Sequence, residues 1–502
     1  MRLTALLVGT TTLAWSAFAQ AAQDSAPLGC AEVLELMRAK AEQNYAGFLL
    51  EVKPAPARAA AYASALGGFR ARSRAARGDD ACYAVLRDYI AWFDDPHLFV
   101  YQSGRLDSAE TARRARAART VAMDESTARA YFRRNAARLD PIEGIWYDRG
   151  LRVAIVPDPA AAAAAATTAA GASNRFVAVV LASDTALRRP GAVRARFTRR
   201  RDGGYDGEMW LRNFARRLVD ARLYKRVLLR TSPGVWGKEY PVAARDSGLL
   251  DPADPRRPTL LLRGRTVIVS MTSHDPGYKP VLDSLLAAHE AELRGAERLI
   301  VDLRGNEGGS SLASSGLMPY IASARMRPER RRFRDAMLMS SEDQMRYARV
   351  AFGRDTEPEV QRLLERMRAH VGGLVPLFDS LVPERPPAHD SVVLGPRRVG
   401  VLIDRGTVSA SEVLVLDAKR SERATVFGEP TAGALDYQST NIVSLSPRER
   451  RWYLGYPTIT AGADLPSNGM RGRGIPPDVR LDLARLRDPI AVVDSLLRRD
   501  AR

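Results

Sequence analysis

Ser409 is a candidate nucleophile at a point where the sequence changes from strand to helix. It lies in Arg-Gly-Thr-Val-Ser-Ala-Ser-Glu (residues 405–412), between an apolar run that predicts a buried strand and a run that predicts a helix. A serine at such a turn is exposed, and the free N–H groups of a helix N-terminus can stabilise a developing oxyanion. The structural alternative is that Ser409 or Thr407 only caps the helix. The local pattern fits both roles.

A second segment could bring backbone amides close to a ligand. Residues 299–309 read Leu-Ile-Val-Asp-Leu-Arg-Gly-Asn-Glu-Gly-Gly, which predicts a buried strand that ends in a glycine-rich turn. A phosphate-binding turn is the alternative. The segment lacks the Lys-Ser/Thr of a P-loop and the third glycine of a dinucleotide-binding turn, so this reading is disfavoured.

Four motifs together resemble the tail-specific, or C-terminal-processing, serine peptidase family, which includes the tricorn core and retinoid-binding relatives. They follow the family's order along the chain: residues 302–309, 409–412, 428–433 and 474–478. The resemblance implies an α/β peptidase core with Ser409 as the nucleophile. It further implies an oxyanion hole made by the amides of Gly308, Gly309 and Ala410.

The resemblance also indicates which residue activates Ser409. The tail-specific branch uses a lysine 25 residues after the serine, where this chain has Ala434. The tricorn-like branch uses a histidine from an N-terminal helical segment in an Asp-x-His motif, which Asp95-Pro96-His97 matches. His97 is therefore the predicted base. Arg471 stands where that branch carries an orienting carboxylate. Either another acid orients the imidazole, with Asp95, Asp436 and Asp464 the nearest by motif proximity, or the protein is a weakened peptidase in which Arg471→Glu is expected to raise kcat.

The helices and strands expected around these residues indicate an α+β multidomain protein. The expected parts are a signal peptide at 1–21, an N-terminal helical cap at 22–107, a helical connector at 108–140, a β-rich antiparallel module at 141–256, and an α/β core at 257–502 with a helical insertion at 310–385. Residues 260–271 are expected to form one strand of the core.

The N-terminal residues predict export. Arg2 is followed by the mainly apolar run 5–19 and by small-residue cleavage contexts around Ala19, a pattern too short for a convincing membrane helix. The mature protein is expected to be secreted or periplasmic. In such an oxidising compartment the only two cysteines, Cys30 and Cys82, are expected to form a disulfide rather than a metal site.

Composition excludes several classes of function. The chain has 502 residues, is 46% hydrophobic and 27% charged, and has no internal run of the ~20 apolar residues that a membrane span requires. Its net charge is +18, yet only six of 76 basic residues are lysine. That arginine bias, beside abundant alanine, indicates GC-rich coding rather than selection for nucleic-acid binding.

The sequence thus predicts an exported serine-type endopeptidase that acts on a peptide or protein substrate. The five histidines show no zinc-like spacing, so no metal is expected, and the chemistry needs no organic cofactor. The alternative is an inactive relative that binds an apolar ligand or a peptide. The sequence does not specify an oligomeric state.

Overall fold

A computed structural model of the chain describes residues 28–103, 108–160, 174–231, 234–323, 326–327, 335–352, 358–377, 395–446, 451–462, 465 and 469–499. The predicted signal peptide at 1–21 lies outside these residues. Among the residues described, no helix combines the length and apolar character that crossing a bilayer would demand.

Twelve α-helices are described in these ranges: α1 (Cys30–Asn44), α2 (Pro56–Ala75), α3 (Gly78–Ala91), α4 (Ser108–Ala117), α5 (Glu125–Arg134), α6 (Lys279–Ala288), α7 (Glu290–Gly295), α8 (Met318–Ile321), α9 (Glu342–Phe352), α10 (Pro358–Ala369), α11 (Ala410–Arg420) and α12 (Pro489–Arg499). A π-helical turn covers Phe48–Val52, and 3₁₀ turns cover Ala244–Asp246, Pro276–Tyr278 and Ser311–Leu317.

Nineteen strands are described in the same ranges: β1 (Phe99–Gln102), β2 (Gly144–Asp148), β3 (Leu151–Pro157), β4 (Arg175–Ser183), β5 (Val193–Arg199), β6 (Tyr205–Trp210), β7 (Arg216–Tyr224), β8 (Leu228–Thr231), β9 (Gly234–Tyr240), β10 (Thr259–Arg263), β11 (Thr266–Ser270), β12 (Arg298–Asp302), β13 (Met337–Met339), β14 (Leu374–Pro376), β15 (Arg398–Ile403), β16 (Ala424–Gly428), β17 (Tyr437–Ser444), β18 (Trp452–Thr460) and β19 (Val479–Arg480).

The core is a six-stranded sheet in the order β10-β11-β12-β15-β16-β19. The strands from β11 to β19 are parallel, and their residues are apolar on both faces because helices cover both sides. Helices α6 and α11 pack on one face, and α12 packs on the other through Ile490, Val493 and Leu497. The predicted single strand at 260–271 is instead the antiparallel hairpin β10–β11, because Gly264, at φ 60°, reverses the chain.

The β-rich module is a closed eight-stranded barrel, β2 to β9, in which sequential strands pair antiparallel and β9 closes on β2. Apolar side chains from every second residue fill its interior, among them Trp146, Phe197 and Trp236. Eight strands leave a bore just wide enough for side chains. The barrel therefore has a solid core, and α5 packs on its outside through Ala128 and Phe132.

The N-terminal helices α1 to α3 share a hydrophobic core with a second sheet. That sheet joins β1, β18, β13 and β14, with β17 on the other side of β18. The prediction of a wholly helical cap to residue 107 is wrong at β1, whose aromatic side chains pack against β18; Tyr101 stacks on Tyr453 with ring centroids 5.0 Å apart. The predicted helical insertion likewise contributes two strands, β13 and β14.

Candidate active site

Two loops meet where β12 and β15 end. These strands are parallel neighbours, so their carboxyl ends lie at the same edge of the sheet. The loops are tied directly: the Val408 N–H donates to the Asn306 carbonyl (3.0 Å), Thr407 Oγ1 donates to the Leu303 carbonyl (3.0 Å), and the Gly305 N–H donates to Asp404 Oδ1 (2.9 Å). The glycine-rich turn and the serine turn therefore form one unit.

Ser409 occupies a strained turn immediately before α11. Its φ of 57° and ψ of −118° lie in a region that non-glycine residues rarely adopt, at a cost of about 1–3 kcal/mol. Its backbone is held from both ends, since the Glu412 N–H donates to the Ser409 carbonyl (2.8 Å) and the Glu412 carboxylate accepts the Ser409 N–H (2.8 Å). Its side chain is half-buried and lines a cavity. This strain and placement favour a nucleophile over a simple cap.

Glu412 connects the serine turn to the loop after β16. The carboxylate is fully buried and accepts four hydrogen bonds: from the N–H of Ser409 (2.8 Å), Thr431 Oγ1 (2.6 Å), and the N–H groups of Gly433 (2.8 Å) and Ala434 (2.9 Å). Thr431 Oγ1 in turn accepts the Ile475 N–H at 2.7 Å. All four motifs identified in the sequence are thereby linked at one edge of the sheet.

The amides predicted for the oxyanion hole differ in their availability. The Gly308 N–H donates to Asn306 Oδ1 at 3.0 Å, so it is already bonded within its own loop. The Gly309 and Ala410 N–H groups have no acceptor among the residues described. Gly309 is exposed, and its φ is 138°. Both Gly309 and Ala410 line the cavity beside Ser409. The geometry thus leaves Gly309 and Ala410 as donors, with Gly308 shaping the turn.

His274, a second histidine near the site, belongs to the scaffold. It is completely buried, and its Nδ1 lies 3.0 Å from Asn306 Oδ1. Its backbone brackets the glycine turn, donating to the Gly308 carbonyl (2.8 Å) and accepting the Ser310 N–H (2.7 Å). Burial lowers the pKa of His274 to about 4, so the ring stays neutral at pH 7. It holds the turn that presents Gly309.

His97 reaches the same cavity from the N-terminal part of the chain. Asp95 fixes its backbone, accepting the His97 N–H at 2.8 Å and the Tyr45 hydroxyl at 2.8 Å. Burial raises the pKa of Asp95 to about 6. Within the described residues, His97 Nδ1 is buried without a hydrogen-bond partner. No hydrogen bond joins His97 to Ser409 in this structure.

The charge that acts on the His97 imidazole comes from Glu412. Burial lowers the pKa of His97, and the Glu412 carboxylate and the Tyr437 backbone carbonyl oppose that shift. Asp95, Asp436 and Asp464 were alternative acids by motif proximity. Asp95 holds the histidine backbone, Asp436 accepts the Met470 and Arg471 N–H groups (2.7 and 2.9 Å), and Asp464 lies outside the described residues.

Arg471 does not face the imidazole as an unpaired cation. Its Nη2 donates to Glu51 Oε2 at 2.7 Å, and its Nη1 donates to the Phe93 carbonyl at 3.4 Å. Glu51 is buried and also accepts the Tyr437 hydroxyl at 2.7 Å. Arg471→Glu is therefore expected to lower kcat rather than raise it. The substitution would place a second carboxylate beside Glu51 and remove the hydrogen bond to the Phe93 carbonyl in the segment that carries His97. Glu51 carries no motif that would have identified it from sequence.

The remaining sequence candidates have structural positions. Ala434, where the lysine of the dyad would stand, is buried against Glu412. Lys419 lies on the far part of α11 and pairs with Asp478. In the N-terminal region Cys30 and Cys82 form a disulfide that links the first turn of α1 to α3.

A cavity of about 1670 Å³ brings three parts of the molecule together. Pro96 and His97 line it from the N-terminal region, and Gly309, Ser409 and Ala410 line it from the core; the barrel contributes Arg222, Tyr224 and Arg230. Chemically, this combines a serine hydroxyl, a neutral imidazole and two free amides in one space.

Comparisons with known proteins agree with this arrangement. Residues 266–481 match the family model described as Peptidase family S41. A search of curated proteins found no match. Among solved structures, the chain is similar to mature CPAF complexed with lactacystin (12% identity, TM-score 0.45, 94% of this chain and 98% of that chain) and to the photosystem II D1 C-terminal processing protease (16%, 0.35, 95% and 99%). It is also similar to the tricorn protease (11%, 0.39, 94% of this chain and 37% of that chain).

The matched segment is that of a serine-type peptidase. Residues 266–481 resemble peptidase family S41, the tail-specific protease family. The matched segment contains Ser409 and the glycine turn, whereas His97 lies outside it.

Proposed function

We propose that the protein is an exported serine endopeptidase in which Ser409 is the nucleophile and His97 the general base. The observation that carries the proposal is the strained Ser409 turn, which lines one cavity with His97 and with the unbonded amides of Gly309 and Ala410. Strain of this kind persists where the surroundings over-determine a functional geometry.

Acylation begins when Ser409 Oγ attacks the carbonyl carbon of the scissile peptide bond and His97 accepts the hydroxyl proton. The carbonyl oxygen becomes an oxyanion, and the N–H groups of Gly309 and Ala410 stabilise it at the N-terminus of α11. The tetrahedral intermediate collapses as His97 returns the proton to the leaving amine. Water then attacks the acyl-enzyme by the same route, and Ser409 is regenerated.

Electrostatics suit His97 for this role. Burial lowers its pKa, so the imidazole is neutral and ready to accept a proton at pH 7. The Glu412 carboxylate stabilises the imidazolium that forms, which is the task that a direct carboxylate partner performs in other serine–histidine sites. No step requires a metal or an organic cofactor.

Export is supported by the N-terminal sequence and by the cysteines. Residues 1–21 have the charge, apolar run and small residues of a secretory signal peptide. The Cys30–Cys82 disulfide suits an oxidising compartment such as the periplasm or the cell exterior. The substrate would be a peptide or protein met there.

Covalent labelling with a fluorophosphonate probe tests the proposal. Mature protein should be labelled, and Ser409→Ala should abolish labelling while retaining the wild-type melting temperature. Ser411→Ala is a matched control on the same helix, because Ser411 Oγ is bonded to Val408; it should still be labelled. Absence of labelling in folded wild-type protein would contradict the proposal.

A further inference from the structure

The turn between β7 and β8 of the barrel penetrates the peptidase core. Lys225, in this turn, is fully buried, and its Nζ donates to Ser270 Oγ at 2.8 Å and to the Asp302 carbonyl at 3.1 Å. The same Nζ lies 3.4 Å from Asp302 Oδ2. Asp302 is the last residue of β12, and the glycine turn that presents Gly309 begins there. The Lys225 ammonium group of the barrel thus contacts the first residue of the loop 302–309, the oxyanion loop.

Neighbouring residues of the barrel contact both catalytic loops. A Cβ at Gly305 or at Gly406 would collide with Tyr224, so each glycine lets its loop lie directly against the tyrosine. Arg230 Nη1 donates to the Gly406 carbonyl at 2.8 Å. Gly305 belongs to the oxyanion loop and Gly406 to the serine turn. Three side chains of the β7–β8 hairpin, those of Tyr224, Lys225 and Arg230, therefore contact the two loops and can hold them in a fixed position relative to each other.

The backbone of the turn is strained to achieve this. Lys225 and Arg226 have φ of 51° and 61°, in the left-handed region that costs non-glycine residues about 1 kcal/mol or more each. Neither is the glycine or asparagine that usually fills such positions. This strain favours a role for the Lys225 side chain beyond forming the turn.

Charge balance also explains why a lysine can be buried here. Arg304 donates to Asp302 through Nε (2.9 Å) and Nη2 (2.8 Å), and the charges of Arg304 and Lys225 lower the pKa of Asp302 to about 2 despite its burial. Burial lowers the pKa of Lys225 to about 8, so at pH 7 it is still an ammonium with three N–H donors. Its contacts occupy those donors, so it is not available as the base of a serine–lysine dyad.

We propose that Lys225 is a positioning residue for the oxyanion loop, so that the barrel is part of the catalytic apparatus rather than a separate appendage; this rests on the proposed function. By fixing the end of β12 through Asp302 and Ser270, Lys225 sets the path of the loop to Gly309. Loss of the ammonium should weaken transition-state stabilisation and leave substrate binding nearly unchanged.

Lys238 provides a matched control inside the same barrel. It is also buried with its pKa lowered to about 8 by burial, but its Nζ donates to the Pro141 carbonyl at 2.7 Å and lies over the Trp146 ring. Lys225→Met and Lys238→Met therefore remove buried charges with different partners: the end of β12 for Lys225 and the Pro141 carbonyl for Lys238. Ser270→Ala removes one acceptor of Lys225 through a small change that the core can accept.

Three measurements on the mature protein distinguish the outcomes: kcat and KM on a generic peptide, the rate of fluorophosphonate labelling, and hydrogen exchange of residues 302–311. We expect Lys225→Met to lower kcat about tenfold with KM within twofold, to slow labelling, and to accelerate exchange. Ser270→Ala should lower kcat about threefold, and Lys238→Met should leave kcat and exchange unchanged.

Equal effects of Lys225→Met and Lys238→Met, or an unchanged kcat in folded Lys225→Met, would overturn the proposal. If Lys225→Met does not fold, an unchanged kcat in Ser270→Ala overturns it. A wild-type protein that is not labelled contradicts the proposed function. The exchange measurement still tests the positioning role in that case, and unchanged exchange in both Lys225→Met and Ser270→Ala would contradict it.

Discussion

Ser409 and His97 are held in place by two different kinds of structure. The serine turn lies within the core sheet, where Glu412, Thr407 and neighbouring amides bond to it over short distances. The histidine segment depends on contacts between distant parts of the chain, such as Asp95 with Tyr45 and Arg471 with Phe93, which are 378 residues apart in sequence. Substitutions that break the bonds around the serine turn should therefore affect stability and rate together, whereas replacing only the Ser409 hydroxyl or the His97 ring should mainly affect rate.

The largest difference is expected between two histidine variants. His97→Ala removes the proposed base and should lower kcat/KM by about 10³-fold, within the usual range for general base catalysis, with little change in the melting temperature. His274→Ala should lower both kcat/KM and the melting temperature, because His274 is completely buried and its Nδ1 lies 3.0 Å from Asn306 Oδ1 of the glycine turn. Steady-state kinetics and thermal melting of both variants test this. A His97→Ala protein that melts far below wild type would show that His97 is structural.

Arg471→Glu should have the next largest effect. It replaces a buried ion pair with two facing carboxylates and removes the bond to the Phe93 carbonyl, so stability should fall by about 3 kcal/mol and kcat by about tenfold. Arg471→Met, which adds no repulsion, should lose less of both. The double variant Glu51→Arg/Arg471→Glu should recover part of the loss. A kcat above wild type in Arg471→Glu would restore the sequence-based expectation instead.

A smaller effect is expected on the pH dependence of kcat/KM. Because burial lowers the pKa of His97 below its usual 6.5, the imidazole stays neutral as pH falls through 6.5, and the acidic limb of kcat/KM should lie below that value. The unfolded chain takes up this proton first, so the contribution of His97 to stability should diminish as pH falls below 6.5. A limb at or above 6.5 in the wild-type profile would contradict this reading.

The disulfide should have the smallest effect on rate. It closes a sequence separation of 52 residues, so Cys30→Ala/Cys82→Ala should lower the free energy of unfolding by about 4 kcal/mol in the chain-entropy model. At 25 °C kcat should be unchanged, since neither cysteine lines the cavity. Thermal melting and kinetics measure both quantities. Two thiols titrated by alkylation of native, unreduced protein would contradict the pairing.

Sequence reasoning located the parts of the site that are local in the chain. Ser409 and the glycine turn each occupy a short motif after an apolar run, and parallel strands bring such motifs to one edge. Strands β1, β13 and β14 of the second sheet were missed because they are three or four residues long and lie within stretches predicted to be helical. Runs of that length carry too little periodicity to separate strand from helix.

Long-range electrostatic partners could not be predicted. Whether Arg471 faces the imidazole or Glu51 depends on tertiary packing, and Glu51 is 420 residues away in sequence. For Lys225 a weak signal did exist. In a chain whose 76 basic residues include only six lysines, each lysine departs from a strong bias toward arginine, and two of the six are buried in the barrel.

The distance in sequence between His97 and its support from Arg471 has a consequence for how the enzyme is made. A chain synthesised from its N-terminus contains His97 well before Ser409 and Arg471 have been added. An incomplete or truncated chain therefore carries no assembled site. Any activity that needs both Ser409 and His97 would then begin only after Ser409 and Arg471 have been synthesised.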